Sequence, residues 1–102
     1  MAELDEIIHQ PLRLKLMAAL HAERNGAALD FSQLKTLSGA TDGNLGSHLS
    51  TLEKVGYVII AKDFVGKRPR TQVTATPAGR RAFRRHVEYL RGVVEEAERV
   101  GG

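Results

Sequence analysis

The stretch TDGNLGSHLSTLEKVGYV, Thr41 to Val58, contains the residues whose types and spacing suggest chemistry. Its leucines recur at positions 45, 49 and 52, which predicts an amphipathic helix, and Gly56 is expected to end that helix in the left-handed conformation. At about 100° of rotation per residue, the side opposite the leucines carries Gly43, Ser47, Ser50 and Lys54, with Thr51 at its margin. Hydroxyl groups donate and accept hydrogen bonds, and glycine adds no bulk. This side is therefore thin and able to form hydrogen bonds with a surface pressed against it.

A thin helix face of this kind fits closely into the major groove of DNA, which is about 12 Å wide. Backbone amides near Asp42 to Asn44, at the start of the helix, can point at a phosphate oxygen. The competing interpretation is a plain exposed helix with capping residues at its beginning. His48 lies about 60° from the leucine stripe, which predicts a residue at the edge of the core that can still reach a phosphate.

A second informative group is the cationic stretch GKRPR, Gly66 to Arg70, which contains Lys67, Arg68 and Arg70. Extended segments flank it, YVIIAKDF before and RTQVTAT after, so the sequence predicts a β-hairpin with VGKRP as its loop. Cations at a hairpin tip suit backbone phosphates or the minor groove. The alternative is a solvated charged turn. Because Asp63 is the only acidic residue nearby, binding of an anion by these cations is favoured over a solvated turn. The presence of the hairpin in turn favours DNA binding by the preceding helix.

The elements that position these residues follow from periodicity and capping residues. A helical lead-in is predicted over Leu4 to His9, followed by a first helix that begins at Pro11 and has a broad apolar stripe. A turn at Asn25-Gly26 and a short extended segment over Ala28 to Phe31 come next. The short second helix has these predicted features: a cap at Asp30 or Ser32, Leu34 and Leu37 facing inward, and Gly39 at its end.

The third helix, about residues 42–55, begins at a Thr41 cap, and the last runs from Thr76-Pro77 to about Glu98. The fold class is therefore mainly α with a small β-hairpin (α+β), and the order of elements predicts a winged helix-turn-helix. We expect one domain over residues 1–102, with a core at 1–76 and a C-terminal dimerisation helix at 77–98.

The last helix carries an apolar seam with alternating four- and three-residue spacing: Phe83, Val87, Leu90, Val94 and Ala97. This heptad-like pattern predicts packing against the same helix of a second chain in a two-fold homodimer. The alternative is that its first turns pack on the first helix while its end frays, and both can hold in part. Four arginines lie off the seam: Arg80, Arg81, Arg84 and Arg85. They form either a solvated face or a second phosphate-binding patch, and the solvated face is favoured.

Composition narrows the functional classes. The 102 residues are 42% hydrophobic and 26% charged and include no cysteine, which excludes disulfides, thiolate metal sites and a cysteine nucleophile. With an acidic, polar start and no long apolar run, the chain is expected to be cytoplasmic, with no membrane partner. Residues 54–91 hold ten Lys/Arg and two Asp/Glu, a net charge of +8, which indicates an anionic partner.

The sequence shows no catalytic constellation, so we expect neither an enzyme nor a cofactor. The four histidines are scattered without metal-ligand spacing, and no metal site is predicted. The segment Gly43 to Gly46 lacks the phosphate-loop pattern.

The chain resembles the winged helix-turn-helix transcriptional regulators related to the MarR and ArsR families. LDEIIHQPLRLKLMAAL, DFSQLKTLSGATDGNLGSHLSTLEKVGYV and VGKRPRTQVTATPAGRRAF carry the resemblance over Leu4 to Phe83. It implies a dimer that binds promoter DNA, with reading-helix residues Asp42, Gly43, Asn44, Ser47, His48 and Thr51, and wing residues Lys67, Arg68 and Arg70. Relatives often carry Arg or Lys at position 47, so the serine here implies a weaker reading helix and more important wing contacts.

Two functional classes follow. The first is a dimeric transcriptional regulator that reads double-stranded DNA at a roughly palindromic operator. The second is a winged-helix protein-interaction module without physiological DNA binding. The cationic hairpin tip favours the first, because an interaction module would not need it.

Overall fold

The computed structural model describes residues 3–101 and confirms the predicted winged helix-turn-helix. A single-turn 3-10 helix at Arg24–Gly26 follows the first helix. The main elements are α1 (Pro11–Ala22), β1 (Leu29–Asp30), α2 (Phe31–Ser38), α3 (Asp42–Lys54), β2 (Val58–Val65), β3 (Arg68–Ala75) and α4 (Pro77–Gly101).

The helix boundaries are set by the predicted capping residues. Asp30 begins α2 with a capping box, since its Oδ1 accepts a hydrogen bond from Gln33 N at 2.7 Å and Gln33 Oε1 accepts from Asp30 N at 2.9 Å. Gly39 ends α2 in the left-handed conformation at φ 69°. Thr41 Oγ1 accepts from Asn44 N at the start of α3, and Thr76 Oγ1 accepts from Gly79 N at the start of α4.

The core lies between the three N-terminal helices, the sheet and the first turns of α4. Its fully buried large side chains come from the N-terminal segment, the first three helices and β3: Ile8, Leu16, Met17, Leu20, Leu34, Leu45, Leu52 and Val73. Helix α4 contributes Ala82, which is 1% exposed. The prediction for Leu37 is wrong, because its side chain is 45% exposed. The helix α2 has only eight residues, and Leu34 is its buried residue. Leu37 lies at the edge of the buried side of this helix, just before the helix ends at Gly39.

The sheet is antiparallel with strand order β1-β3-β2. Its hairpin stays paired from Val58↔Ala75 to Val65↔Arg68, so the turn is only Gly66 and Lys67. The predicted loop VGKRP is therefore too long, since Arg68 and Pro69 already belong to β3. Gly66 has φ 63°, which allows a two-residue turn. Pro69 lies opposite Phe64 of β2, and on its other side it needs no partner because β1 pairs with β3 only at Val73 and Gln72.

In the N-terminal segment, residues 3–10, a single hydrogen-bonded turn at residues 6–9 replaces the predicted helical lead-in over Leu4 to His9, and His9 N donates to Asp5 O at 2.8 Å. Asp5 Oδ1 accepts from the amides of Ile7 and Ile8, each at 3.0 Å, while Tyr57 Oη donates to Asp5 Oδ2 at 2.7 Å. Burial, followed by this hydrogen bond, raises the pKa of Tyr57 to about 12. A helix cannot continue because Gln10 precedes proline and is extended, with ψ 127°.

The first turns of α4 lie against the hairpin and α1. Gly79 is buried, and a Cβ added to it would lie 2.1 Å from Tyr57 O, so only glycine permits this approach. Arg80 is half-buried, and its guanidinium donates to the carbonyls of His21 and Leu20 in the last turn of α1, at 3.4 and 3.5 Å. The favoured solvated role is thus wrong for Arg80, whereas Arg81, Arg84 and Arg85 are exposed. Within residues 3–101, no helix combines the length and apolar character needed to cross a membrane.

Candidate nucleic-acid interface

The outer side of α3 is open to solvent, as its composition predicts. Leu45, Leu49 and Leu52 are buried on the inner side. The outer residues are exposed: Asp42, Gly43, Asn44, Ser47, Ser50 and Lys54. A Cβ added at Gly43 would have no atom within 4 Å, so the chain leaves free space over the start of the helix.

Two polar groups of α3 are used internally. Asn44 N, one of the amides expected to face a phosphate, donates to Thr41 Oγ1 at 3.2 Å. Thr51, at the margin of the outer face, is half-buried and its hydroxyl donates to Ser47 O at 3.2 Å. The hydroxyls of Ser47 and Ser50 lie on the exposed face, where an external partner can reach them.

His48 occupies the predicted position at the edge of the core. It is half-buried, and its Nδ1 lies 3.0 Å from Arg13 Nη1, while Arg13 Nε donates to Ile7 O at 2.6 Å. Arg13 has only donors, so His48 Nδ1 must be the acceptor and the ring is neutral. Burial and then the Arg13 charge lower the pKa of His48. In this arrangement His48 ties α3 to α1 and to the N-terminal segment.

The hairpin tip, residues 65–70, presents two exposed cations at its end, Lys67 and Arg68. Within residues 3–101, neither has a carboxylate oxygen within 4 Å. Arg70 differs, because it faces Asp63 across the hairpin and bonds to it through both Nε–Oδ1 at 2.9 Å and Nη2–Oδ2 at 2.7 Å. The Arg70 hydrogen bonds lower the pKa of Asp63. Arg70 therefore stabilises the hairpin through Asp63. Lys67 and Arg68 are the cations of the hairpin tip that remain available to bind an external anion.

A groove of about 620 Å³ joins the hairpin tip to the start of α2 and α3. Arg68 and Arg70 lie on one wall, while Ser32, Lys35 and Asp42 lie on the other. Lys35 Nζ is 2.7 Å from Asp42 Oδ1, and both side chains remain about half or more exposed, at 49% and 72%. The two sequence-predicted groups, the start of α3 and the hairpin tip, are therefore brought to one continuous concave surface.

The sequence matches a family model described as the winged helix DNA-binding domain over residues 12–94. The chain belongs to this family. The match includes α1 to α3, the hairpin and most of α4, so the elements that form the groove are the elements that define the family.

Individual relatives agree with this assignment. The uncharacterised protein MJ0432 of Methanocaldococcus jannaschii is 33% identical over 82 residues, which is 80% of this chain and 86% of the relative. The structure of a transcriptional regulator homologue from Pyrococcus horikoshii OT3 superposes with a TM-score of 0.80 at 34% identity, over 90% of this chain and 88% of the other. NadR in complex with 4-hydroxyphenylacetate gives a TM-score of 0.67 at 25% identity, over 94% and 68% of the two chains. The resemblance to winged helix-turn-helix transcriptional regulators is thus confirmed.

Two residues of this winged-helix surface were missed from the sequence. Lys35 lies on α2, and its place in the groove depends on the angle between α2 and α3 rather than on a local motif. Arg13 lies on α1 and meets His48 only through the tertiary fold. The sequence signal that could have identified Lys35 is a cationic residue on the helix that precedes the predicted reading helix.

The seam residues of α4 lie away from the groove. They become progressively more exposed from the beginning of the helix to its end. Phe83 contacts His21 of α1, with ring centroids 4.9 Å apart, and Val87 and Leu90 are half-buried. Val94 is 54% exposed and Ala97 is exposed. Packing on α1 therefore covers the beginning of the seam and leaves its second half bare.

Proposed function

We propose that this winged-helix protein is a transcriptional regulator without enzymatic activity, acting in the cytoplasm on double-stranded DNA. In this proposal α3 enters the major groove, and the wing, residues 65–70, lies on the adjacent backbone or minor groove. The observation that carries it is the open outer face of α3, with exposed Gly43, Ser47 and Ser50, next to a hairpin tip whose Lys67 and Arg68 are available for phosphate.

The side-chain chemistry of this surface indicates which residues would contact DNA bases and which would contact the phosphate backbone. The Ser47 and Ser50 hydroxyls and the Asn44 amide group suit base edges, because they donate and accept. Lys54, Lys67 and Arg68 suit phosphate oxygens, which fix the orientation of the protein but carry little sequence information. Asp42, His48, Thr51 and Arg70 are predicted DNA-binding residues with partners inside the chain, so we assign them to holding the surface in shape.

The second candidate is a protein-interaction module that does not bind DNA physiologically. The available charge at the hairpin tip favours DNA, because fixed cations at a protruding tip match a regular array of phosphates.

A salt titration of DNA affinity separates the two candidates. For a regulator, log K should fall linearly with log salt, by about 0.9 for each phosphate neutralised. Ser47→Glu places a carboxylate against the groove floor and should reduce the affinity at least a hundredfold, while Glu53→Gln, on the same helix, should not. Absence of binding at low salt would favour the interaction module, and wild-type affinity of Ser47→Glu would remove α3 from the interface.

We further propose that the regulator is a homodimer joined through Phe83, Val87, Leu90, Val94 and Ala97. A two-fold dimer presents two copies of α3, so the operator should be roughly palindromic, with half-sites about one helical turn apart or a multiple of it. Leu90→Asp buries a charge in the seam and should yield monomers in sedimentation equilibrium, with weaker operator binding. A dimer of unchanged mass would contradict the seam.

A further inference from the structure

The inner face of the hairpin continues past the end of the core and carries an exposed aromatic side chain. Alternation along β2 places Phe64 on the same face as Val58, which is buried, and Ile60, which is half-buried. Phe64 itself is 70% exposed. The remaining phenylalanines and both tyrosines are half-buried, so within residues 3–101 Phe64 is the one phenylalanine or tyrosine that is open to solvent.

Two further apolar residues lie beside Phe64 at the hairpin tip. Pro69 of β3 is its opposite partner, and Val65, the next residue of β2, is 55% exposed on the other face. Pro69 is also exposed, and it lines the groove that joins the tip to α2 and α3. Residues 61–69 are all exposed, so the tip stands clear of the core. The tip therefore forms an apolar surface, next to the proposed DNA-binding groove, that the described part of the chain does not cover.

Unpaired cations border this apolar surface. Lys67 lies in the two-residue turn, and Arg68 lies opposite Val65 in the last pair of the hairpin. Neither cation has a carboxylate oxygen within 4 Å among the described residues. DNA combines the two matching features, because its flat apolar base faces are stacked between two rows of phosphates. The charge of the tip thus favours DNA as the partner of its apolar residues.

The hairpin tip is a rigid support for the Phe64 side chain. On the face opposite Phe64, Asp63 and Arg70 form two hydrogen bonds across the strands, at 2.9 and 2.7 Å. The ring of Pro69 fixes its own backbone φ. A short, paired tip of this kind has little conformational entropy to lose when it inserts into a groove.

We infer that Phe64 is a wedge that enters the minor groove and partly unstacks a base step, while Lys67 and Arg68 bind the phosphates beside it. This inference rests on the proposed DNA-binding function and specifies what the wing does. One sheet layer with its side chains is about 10 Å thick, whereas the minor groove is only about 6 Å wide. The wing therefore has to open the groove. Apolar side chains inserted between bases do so and kink the duplex toward the major groove by about 20–90°.

The wedge predicts a sequence preference that does not depend on hydrogen bonds to bases. Pyrimidine–purine steps such as TA and CA unstack most easily, so the bound site should carry such a step where the wing lies. Lys67 and Arg68 cannot supply this preference, because phosphate contacts carry little sequence information. Phe64 is thus a specificity-determining residue in a wing whose charges bind without regard to sequence.

Bending and unstacking of DNA test the wedge directly. The probe is a short duplex that the wild-type protein recovers from random DNA, labelled at its two ends with a donor and an acceptor dye. The wild-type protein should bring the ends closer together and make thymines at one step reactive to permanganate. Phe64→Ala should lose both effects and weaken affinity about tenfold, because the contact of a base with an aromatic ring is lost. Its salt slope should stay that of the wild type, since no phosphate contact is removed.

Ile59→Ala is the matched control for this variant. Ile59 is also an exposed apolar residue of β2, at 59%, but it lies on the outer face near the base of the hairpin. Its affinity and bend should equal those of the wild type. Phe64→Leu should keep most of the bend, since leucine also serves as a wedge. Circular dichroism checks the folding of each variant. A wild-type complex without bending or permanganate reactivity, or a Phe64→Ala complex that retains both, would overturn the inference.

Failure of this inference differs from failure of the proposed function. Salt-dependent binding to an unbent duplex rejects the wedge and keeps the regulator. Absence of binding at low salt rejects both. A lower mass of Phe64→Ala in sedimentation, with the bend of the wild type retained, would show that the apolar tip contacts protein instead of DNA, and it too rejects the wedge.

Discussion

At the residue scale, the proposed DNA-binding helix α3 carries a glycine, Gly43, on its exposed outer face. Glycine costs about 0.5–1 kcal/mol relative to alanine in a helix interior, and less in the first turn, where Gly43 is the second residue of α3. Gly43 has ordinary helical backbone, and a Cβ added to it would meet no atom within 4 Å, so neither strain nor packing within the chain explains it. The proposed close approach of DNA to α3 would account for it.

The variant Gly43→Ala should therefore separate stability from binding. The free energy of unfolding should rise by up to about 1 kcal/mol, because alanine has the higher helix propensity. Operator affinity should fall about tenfold or more, because the methyl group holds the helix away from the groove. Urea denaturation and fluorescence anisotropy with labelled DNA give the two values.

Gly92→Ala is the matched control for this prediction. Gly92 also lies in a helix with no atom within 4 Å of an added Cβ, but it is on α4, outside the groove and not among the seam residues. Its substitution should raise stability and leave affinity unchanged. Equal affinities for Gly43→Ala and the wild type would mean that no surface approaches α3 closely at this position.

At the scale of the elements, the hairpin contains two arginines with different roles. Arg68 is exposed at the tip, whereas Arg70 is bound to Asp63 through two hydrogen bonds. Arg68→Ala should weaken binding to all DNA sequences and reduce the salt slope by about 1, since one phosphate contact is lost. Arg70→Ala should change the slope less, because that charge is already offset by Asp63.

The comparison of Arg68→Ala with Arg70→Ala is decisive because both remove one guanidinium from the same strand. Arg99→Ala, at the end of α4, controls for the loss of net charge alone. A change in sequence preference without a change in salt slope would show that Arg68 reads bases. Equal slopes for the two hairpin variants would show that the Asp63 pairing opens on DNA.

The junction between the hairpin and α4 depends on a close backbone contact. Gly79 lies against Tyr57 O, which also accepts a hydrogen bond from Thr76 N at 3.0 Å. Gly79→Ala forces this contact apart and should lower the free energy of unfolding by about 2 kcal/mol or more, despite the helix propensity of alanine. Thermal denaturation gives the value, and an unchanged or raised Tm would mean that α4 can move away without loss.

The elements that the sequence predicted are those fixed by local signals. The caps at Thr41 and Thr76, the left-handed Gly39 and the leucine stripe of α3 each act within a few residues, and each was placed correctly. The errors concern Leu37, the extent of the hairpin, the N-terminal segment and Arg80. Arg80 depends on contacts distant in the chain, its hydrogen bonds to the carbonyls of α1, which no local pattern records. The other three depend on where a turn or a short helix ends, which sequence patterns locate only to within a few residues.

The binding surface shows the same division. The helical spacing of the leucines predicts which residues form the outer face of α3, and the stretch GKRPR predicts the cationic hairpin tip. Local sequence could not show that Arg70 is offset by Asp63, because that pairing depends on the register of the two strands. Nor could it place Lys35 in the groove, since that requires the geometry of two helices.

At the scale of the whole molecule, the N-terminal segment connects α4 with α3. On one side Asp5 N donates to His86 Nδ1 at 3.2 Å, and on the other Arg13 joins Ile7 O to His48 of α3. His86 is fully buried, and its ring also meets His9 edge-on at a centroid distance of 5.4 Å. Both His48 and His86 accept hydrogen bonds as neutral rings, so their protonation opposes the folded arrangement.

Burial lowers the pKa of three histidines, His21, His48 and His86, and neighbouring positive charges lower it further. For His86 the neighbouring charge is His9, while Asp5 acts in the opposite direction. A histidine in the unfolded chain has a pKa of about 6.5. Below that pH the unfolded chain binds more protons than the folded chain, so the sign is fixed: stability must fall as the solution becomes more acidic.

We expect the free energy of unfolding to be greatest above about pH 7.5 and to fall through about pH 6.5, by at most about 1.4 kcal/mol per pH unit for each histidine. Urea denaturation at a series of pH values measures it. His86→Leu should give a shallower fall, since one buried proton-binding group is removed, whereas His9→Asn, at an exposed position, should retain most of it. Stability that is constant or rises on acidification would contradict the buried neutral histidines, and with them the link that the N-terminal segment makes between α4 and α3.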